Sequence, residues 1–289
     1  MNSQGSLQRL LRPKTIAVVG GREAEIVAEQ CDKLGFTGAI WPVNPKRDRI
    51  AGRDCLRRLD DLPQAPDAVF IAIPAEPTIE AVSILAGMGA GGAVCLASGF
   101  REVGGAGIAR QDRLVAAAGT MPVLGPNCYG FINYLDGAAL WPDQQGGERV
   151  ERGVAIVTQS GNLGVNLTMQ RRSLDLACLV TLGNQAAIAI PECVEALAGD
   201  ERVTAIGLHI EGLSDIGAFE RAAAAARAAG IPVVALKSGR SARGAEIALS
   251  HTASLAGPDR LYDALFEHLG VARVHTVPEL LETLKLLST

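Results

Sequence analysis

The strongest constraint in this chain is an alternation. Short, almost unbroken apolar runs at 15–19, 39–43, 68–73, 92–96 and 122–124 are separated by amphipathic stretches near 23–34, 76–88 and 106–118. A strand apolar on both faces must be covered on both faces, and helices between successive runs supply the crossovers that parallel strands need. Residues 1–133 therefore read as a Rossmann-like βαβ domain in an α/β fold. The pattern lapses at 134–152, where Trp141-Pro142 and Gly146-Gly147 indicate a linker with one short strand. It resumes with runs at 154–157, 177–180, 205–210, 232–236 and 271–274. Helical stretches begin near 163 and 259 and cover 193–198, 218–229 and 278–287, so 153–289 read as a second, flavodoxin-like unit.

Composition narrows the class. At 289 residues the chain can bury two domain cores. A net charge of −4 and 4% aromatic residues argue against a nucleic-acid partner or an anionic membrane surface. No apolar run reaches the length of a membrane span, and the first residues lack a signal-like core, so a cytoplasmic protein is expected. Six cysteines occur without a CxxC or Cys/His cluster, which points away from a zinc site and a disulfide framework. A small-molecule enzyme fits best.

In doubly wound sheets ligands bind beyond the carboxyl ends of the strands. The loop after the first run, Gly20-Gly21-Arg22-Glu23, lacks the GxGxxG spacing of dinucleotide folds. After the second run stands Asn44-Pro45-Lys46, where a lysine suits the ribose phosphate of CoA or NADP, or is simply a turn residue. Ala97-Ser98-Gly99 and Gly125-Pro126-Asn127-Cys128 bring glycines to strand ends, where the backbone can approach a ligand or merely turn. Cys128 reads as buried rather than reactive, since no neighbour in sequence would lower its pKa. Ser160, Gly161, Asn162 and Leu163 open a helix after a strand, a ready phosphate site; the GxSxG elbow of serine hydrolases is not satisfied. Glu211 ends an apolar strand, placed either to support an imidazole or to make a loop ion pair. His251, among small residues in Ser250-His251-Thr252, is suited to carry a phosphoryl group on nitrogen.

Taken in order, Pro42-Val-Asn-Pro-Lys46, Ser98-Gly-Phe100, Gly125-Pro-Asn-Cys-Tyr-Gly130, Gln159-Ser-Gly161, Leu182-Gly-Asn184, Ile210-Glu-Gly212 and Ser250-His-Thr252 resemble the α subunit of succinyl-CoA synthetase and the N-terminal domains of NDP-forming acyl-CoA synthetases. The resemblance implies a CoA-binding domain followed by a succinyl-CoA-synthetase-type domain. It makes His251 the phosphorylated residue and Glu211 its supporting carboxylate. It also sets Lys46, Ala97 and Ser98 against CoA, Asn127 and Cys128 near the thiol end, and 160–163 at phosphate. The implied partners are CoA, a small carboxylic acid and an ATP-grasp subunit or further domains that bind Mg-nucleotide, with a homo-oligomer also admitted. Two departures stand out: Arg22, Glu23 and Glu25 replace the small residues of the family's first loop, and Ala186-Ala187 follow the Gly-Asn turn where relatives often carry an acid. The alternatives are a CoA-binding or sensing module without catalysis and, disfavoured by the missing GxGxxG, an NADP-dependent oxidoreductase.

Overall fold

A computed structural model describes residues 3–239 and 259–288, with side chains from Leu7 onward. Helix α1 (Ser3–Leu11) leads into β1 (Thr15–Gly20), α2 (Arg22–Lys33), β2 (Ala39–Val43), a small hairpin of β3 (Arg49–Ile50) and β4 (Arg53–Asp54), β5 (Ala68–Ala72), α3 (Ala75–Met88), β6 (Ala93–Cys95), α4 (Ala106–Ala118) and β7 (Val123–Leu124). The first sheet has the order β2-β1-β5-β6-β7 and is parallel throughout. Its central strands are buried on both faces, as with Ile16, Ala17, Val18, Phe70 and Ile71, which is why their sequence shows no alternation.

The chain continues through β8 (Phe131–Asn133), β9 (Ala138–Leu140), β10 (Gly153–Thr158), α5 (Gly161–Thr168), β11 (Leu176–Thr181), α6 (Ile190–Ala198), β12 (Val203–Ile210), α7 (Ile216–Ala228), β13 (Val233–Lys237), α8 (Asp259–Leu269), β14 (Ala272–Val274) and α9 (Val277–Leu287). The second sheet has the order β14-β13-β12-β10-β11-β8-β9. Its first five strands run parallel, while β8 and β9 form an antiparallel hairpin on β11.

That hairpin begins just before the stretch read as a linker and supplies that stretch's one short strand, β9, which is tied into the second sheet. The chain has already joined the second sheet at Phe131, where β8 pairs in the register Phe131↔Val180 and Asn133↔Cys178. Phe131, Ile132, Leu140 and Trp141 are fully buried, because α2 from the first sheet packs on β9 and the Cys31 thiol lies 3.4 Å from the Ala139 carbonyl. Helix α1, also unanticipated, seals the same junction. Its Leu7, Leu10 and Leu11 are buried, Asn133 donates to the Leu11 carbonyl at 2.9 Å, and Arg12 approaches Asp136 (3.4 Å) and Asp200 (3.6 Å). One apolar cluster consequently runs from α1 and α2 through the hairpin into the second sheet. The two sheets share a core, which fixes their carboxyl edges relative to each other. Among the described residues no helix is long and apolar enough to cross a membrane.

Candidate active site

The loops singled out above follow β2, β6, β7, β10, β11 and β12, all at carboxyl ends of strands. At the β2 end, Asn44 donates to the Gly20 carbonyl at 2.6 Å and accepts the N–H groups of Lys46 and Arg47, both at 2.9 Å. This Asx turn explains why asparagine stands there, and it presents Lys46 to solvent. Gly20 itself tolerates no side chain: at φ +140° a Cβ would lie 2.5 Å from the Ala72 carbonyl oxygen. Helix α2 then begins at once, with Glu23 and Glu25 in its first turn. Two carboxylates occupy the positive end of the helix, where a dinucleotide pyrophosphate would otherwise sit. The oxidoreductase alternative loses its anchor there.

Beyond β6 and β7, Ser98 and Asn127 are exposed and Ala97 is half-buried. Asn127 adopts φ +58°, and its N–H donates to the Ala97 carbonyl at 2.9 Å, which joins the two loops. Cys128 differs from its neighbours. It is 2% exposed, packed with its thiol toward the Cys95 carbonyl, and burial pushes the thiol up to about 12. Its sulfur is therefore a packing group under the loop, in keeping with the reading of Cys128 as a buried, unreactive thiol.

On the second sheet, Ser160 is the N-cap of α5 and accepts the Leu163 N–H at 3.3 Å. Among the described residues' hydrogen bonds, this leaves the N–H groups of Gly161 and Asn162 for an anion, and the first turn carries no acidic residue. The contrast with α2 is direct: one helix start carries two carboxylates in its first turn and the other carries none. Gly161 lies against Tyr129 of the β7 loop, with a built Cβ 2.7 Å from the ring, and Tyr129 stacks on Trp141 at 5.3 Å. Loops from both sheets thus meet at the start of α5.

Glu211 is half-buried just past β12. Behind it, Lys237 is 3% exposed and lies 4.8 Å from the Tyr262 ring centre. Burial pulls the Lys237 ammonium below its usual range, opposed by the carboxylates of Asp259 and Glu211. The nearby His209 is buried, with Nδ1 3.1 Å from the Thr158 hydroxyl, and burial with the Lys237 charge lowers it to about 4. A neutral, enclosed imidazole cannot meet a phosphoryl donor, so His209 is no rival to His251. His251 itself, and the rest of 240–258, lie outside the described residues.

Two residues given no role from sequence prove central. Gln159, 6% exposed, accepts the N–H groups of Glu211 (2.5 Å) and Gly212 (3.0 Å) and donates to the Gly212 carbonyl (2.7 Å) and Gln185 Oε1 (3.0 Å). It sets the backbone from which Glu211 projects. Glu102 accepts from Gly99, Phe100 and Asn184; burial opposes its ionisation, but these bonds hold the carboxyl below its usual range. The only sequence signal for Gln159 is its place at a strand end within Gln-Ser-Gly.

Comparison with known proteins agrees with this architecture. A family model described as a CoA binding domain matches residues 14–134, and one described as a succinyl-CoA ligase like flavodoxin domain matches 151–287. A trans-feruloyl-CoA synthase from an unknown prokaryotic organism is 36% identical over 290 residues, covering 96% of this chain and 41% of that protein. The α subunit of an ADP-forming acetate–CoA ligase of Pyrococcus furiosus is 31% identical, covering 98% of this chain and 63% of the subunit. The apo dinucleotide-forming acetyl-coenzyme A synthetase 1 of Ca. Korarchaeum cryptofilum superposes with a TM-score of 0.88 at 27% identity, covering 98% of this chain and 62% of that one. The chain thus spans from about two fifths to under two thirds of the length of these relatives. Carrying these two domains in this order, the chain belongs to the NDP-forming acyl-CoA synthetase family.

Proposed function

We propose that the chain is the CoA-binding and phosphohistidine portion of an NDP-forming acid–thiol ligase. In this reading phosphate displaces CoA from an acyl-CoA to give an acyl phosphate. A His251 nitrogen then attacks phosphorus, the carboxylate leaves, and the phosphohistidine passes its phosphoryl group to a nucleoside diphosphate; every step is reversible. Lys46 holds a CoA phosphate, with Ala97, Ser98 and Asn127 along the coenzyme. The start of α5 at 160–163 receives the transferring phosphate, and Glu211 orients and charge-stabilises the imidazole. The nucleotide with its Mg²⁺ belongs to an ATP-grasp portion, on a partner subunit or on further chain; the P. furiosus relative is itself named as an α subunit.

The observation that carries this reading is the meeting of the two edges. The loops after β6 and β7 are hydrogen-bonded to the β11 loop, and the β7 loop packs on the start of α5 through Tyr129, next to the Gln159-held backbone of Glu211. Such positioning is what phosphoryl transfer demands of a protein. Its test is to incubate the chain with an ATP-grasp partner, acyl-CoA and labelled phosphate. Base-stable, acid-labile label that vanishes in His251→Ala is the expected result, and label retained in that variant overturns the assignment. Label absent from the wild type while CoA still binds would favour a module that binds CoA without catalysis.

A further inference from the structure

Glu102 lies outside every motif used above, in the single 3₁₀ turn Arg101–Val103 after the β6 loop. One carboxylate oxygen accepts the N–H groups of Gly99 (2.5 Å) and Phe100 (3.1 Å), and the other accepts the Asn184 amide from the second sheet (2.5 Å). The same Asn184 amide donates to Gln111 on α4 at 3.1 Å. Its backbone N–H donates to the Pro126 carbonyl, and that of Ala186 to the Gly125 carbonyl, each at 2.9 Å. Gly183 completes the contact at φ +55°, where a Cβ would fall 2.4 Å from the Pro126 oxygen and 2.5 Å from that of Asn127. The loops after β6, β7 and β11 are therefore one hydrogen-bonded unit crossing from sheet to sheet, and Glu102 is its charged member.

We propose that Glu102 is a positioning residue, a latch whose carboxylate holds the CoA-side stretch 97–100 in register with the second sheet's Gly183-Asn184 turn. The identity of the ligand rests on the functional reading above; the latch itself does not. The donor–acceptor arithmetic makes it testable. Glu102→Gln keeps an acceptor for Gly99 and Phe100 but turns an NH₂ group toward the NH₂ of Asn184. Asn184→Asp sets one carboxylate against another. Combining them exchanges donor and acceptor, because the Gln amide then donates to the Asp carboxylate, and Gln111 can rotate its amide to donate as well.

The experiment measures amide hydrogen exchange of the full chain over 97–102 and 182–187, and CoA affinity by calorimetry. Each single variant is expected to raise exchange in both segments and weaken CoA by about tenfold or more, the scale of a lost charge-assisted hydrogen bond. The double variant should return to within about threefold of wild type, a coupling that independent sites do not show. Arg101→Ala, on the same turn but exposed, should leave both readouts unchanged. Single variants that fail to fold beside a double variant that folds would also support the pairing. Exchange changes confined to 97–102, or losses that add in the double variant, would overturn the latch. A wild-type chain that does not bind CoA removes the functional reading, and the exchange data still decide the latch.

Discussion

Replacing Gln159 with leucine tests how the site is built. Leucine nearly matches glutamine in size, so no cavity opens, but all four hydrogen bonds of the amide are lost. The N–H and C=O of Gly212 are buried and the N–H of Glu211 half-buried. At about 1–3 kcal/mol for each stranded buried group, the two Gly212 groups alone cost about 2–6 kcal/mol before the loop relaxes. We expect a loss of about 3 kcal/mol, within the roughly 5–15 kcal/mol that holds a domain together, so the variant folds. Urea unfolding followed by Trp141 fluorescence in a Trp41→Phe background reads the second sheet specifically, since Trp141 is buried at its hairpin edge. Gln159→Glu sharpens the test. It keeps the acceptor for two N–H groups but faces its second oxygen to the Gly212 and Gln185 oxygens, so its deficit should shrink as acid protonates the new carboxyl. A Gln159→Leu loss below about 1 kcal/mol would show that these bonds exchange freely with water and would refute the argument.

Other substitutions probe separate parts of the structure. His209 falls from its usual 6.5 to about 4 on folding, so the unfolded chain takes up the proton first; stability is full above about pH 6.5 and declines toward pH 4, by about 3 kcal/mol in all, and His209→Asn should flatten that limb in acid unfolding curves. Gly183→Ala should cost more than about 2 kcal/mol from its left-handed backbone and its clash with the 126–127 carbonyls. Gly52→Ala, at φ +75° with open space around it, should cost only about 1 kcal/mol, and equal losses in thermal unfolding would remove the packing term. Lys46→Ala should weaken CoA by about 1.5–3 kcal/mol and dephospho-CoA much less if the lysine meets the 3′-phosphate, whereas equal losses by calorimetry would exclude that contact.

The strands were legible because their burial is simple. The runs at 15–19, 39–43 and 205–210 become β1, β2 and β12 to within two residues, and β1 and β12, inside their sheets, are buried along almost their whole length, which is why they show no alternation. The hairpin β8–β9 escaped because three-residue strands are too short to show a period, and their burial comes from α2, roughly a hundred residues earlier, as the Cys31–Ala139 contact shows. Helix α1 had a readable signal in Leu7, Leu10 and Leu11, spaced i, i+3, i+4 on one face. What sequence could not supply was the surface that this face covers, the seam between the sheets at Asn133 and Asp136.

The candidate site divides along a similar line. Lys46, Ser98 and Asn127 could be singled out as candidates because polar residue type and strand end coincide in the sequence, and the structure exposes all three at the carboxyl edge of the first sheet. Gln159 and Glu102 could not, because the partners that matter lie far along the chain: the Glu211 N–H, 52 residues from Gln159, and the Asn184 side-chain amide, 82 residues from Glu102. A side chain that satisfies another loop's N–H has no local pattern, since amide or carboxylate chemistry suits any exposed turn equally well. The two classes should also fail differently. Removing an exposed contact lowers affinity and leaves geometry intact. Removing a buried acceptor leaves the ligand-facing residues in place in sequence yet misaligned in space, where a shift on the order of 1 Å costs as much rate as losing the contact outright. For Glu211 this means that its carboxylate is only as well aimed as the Gln159 amide beneath its N–H.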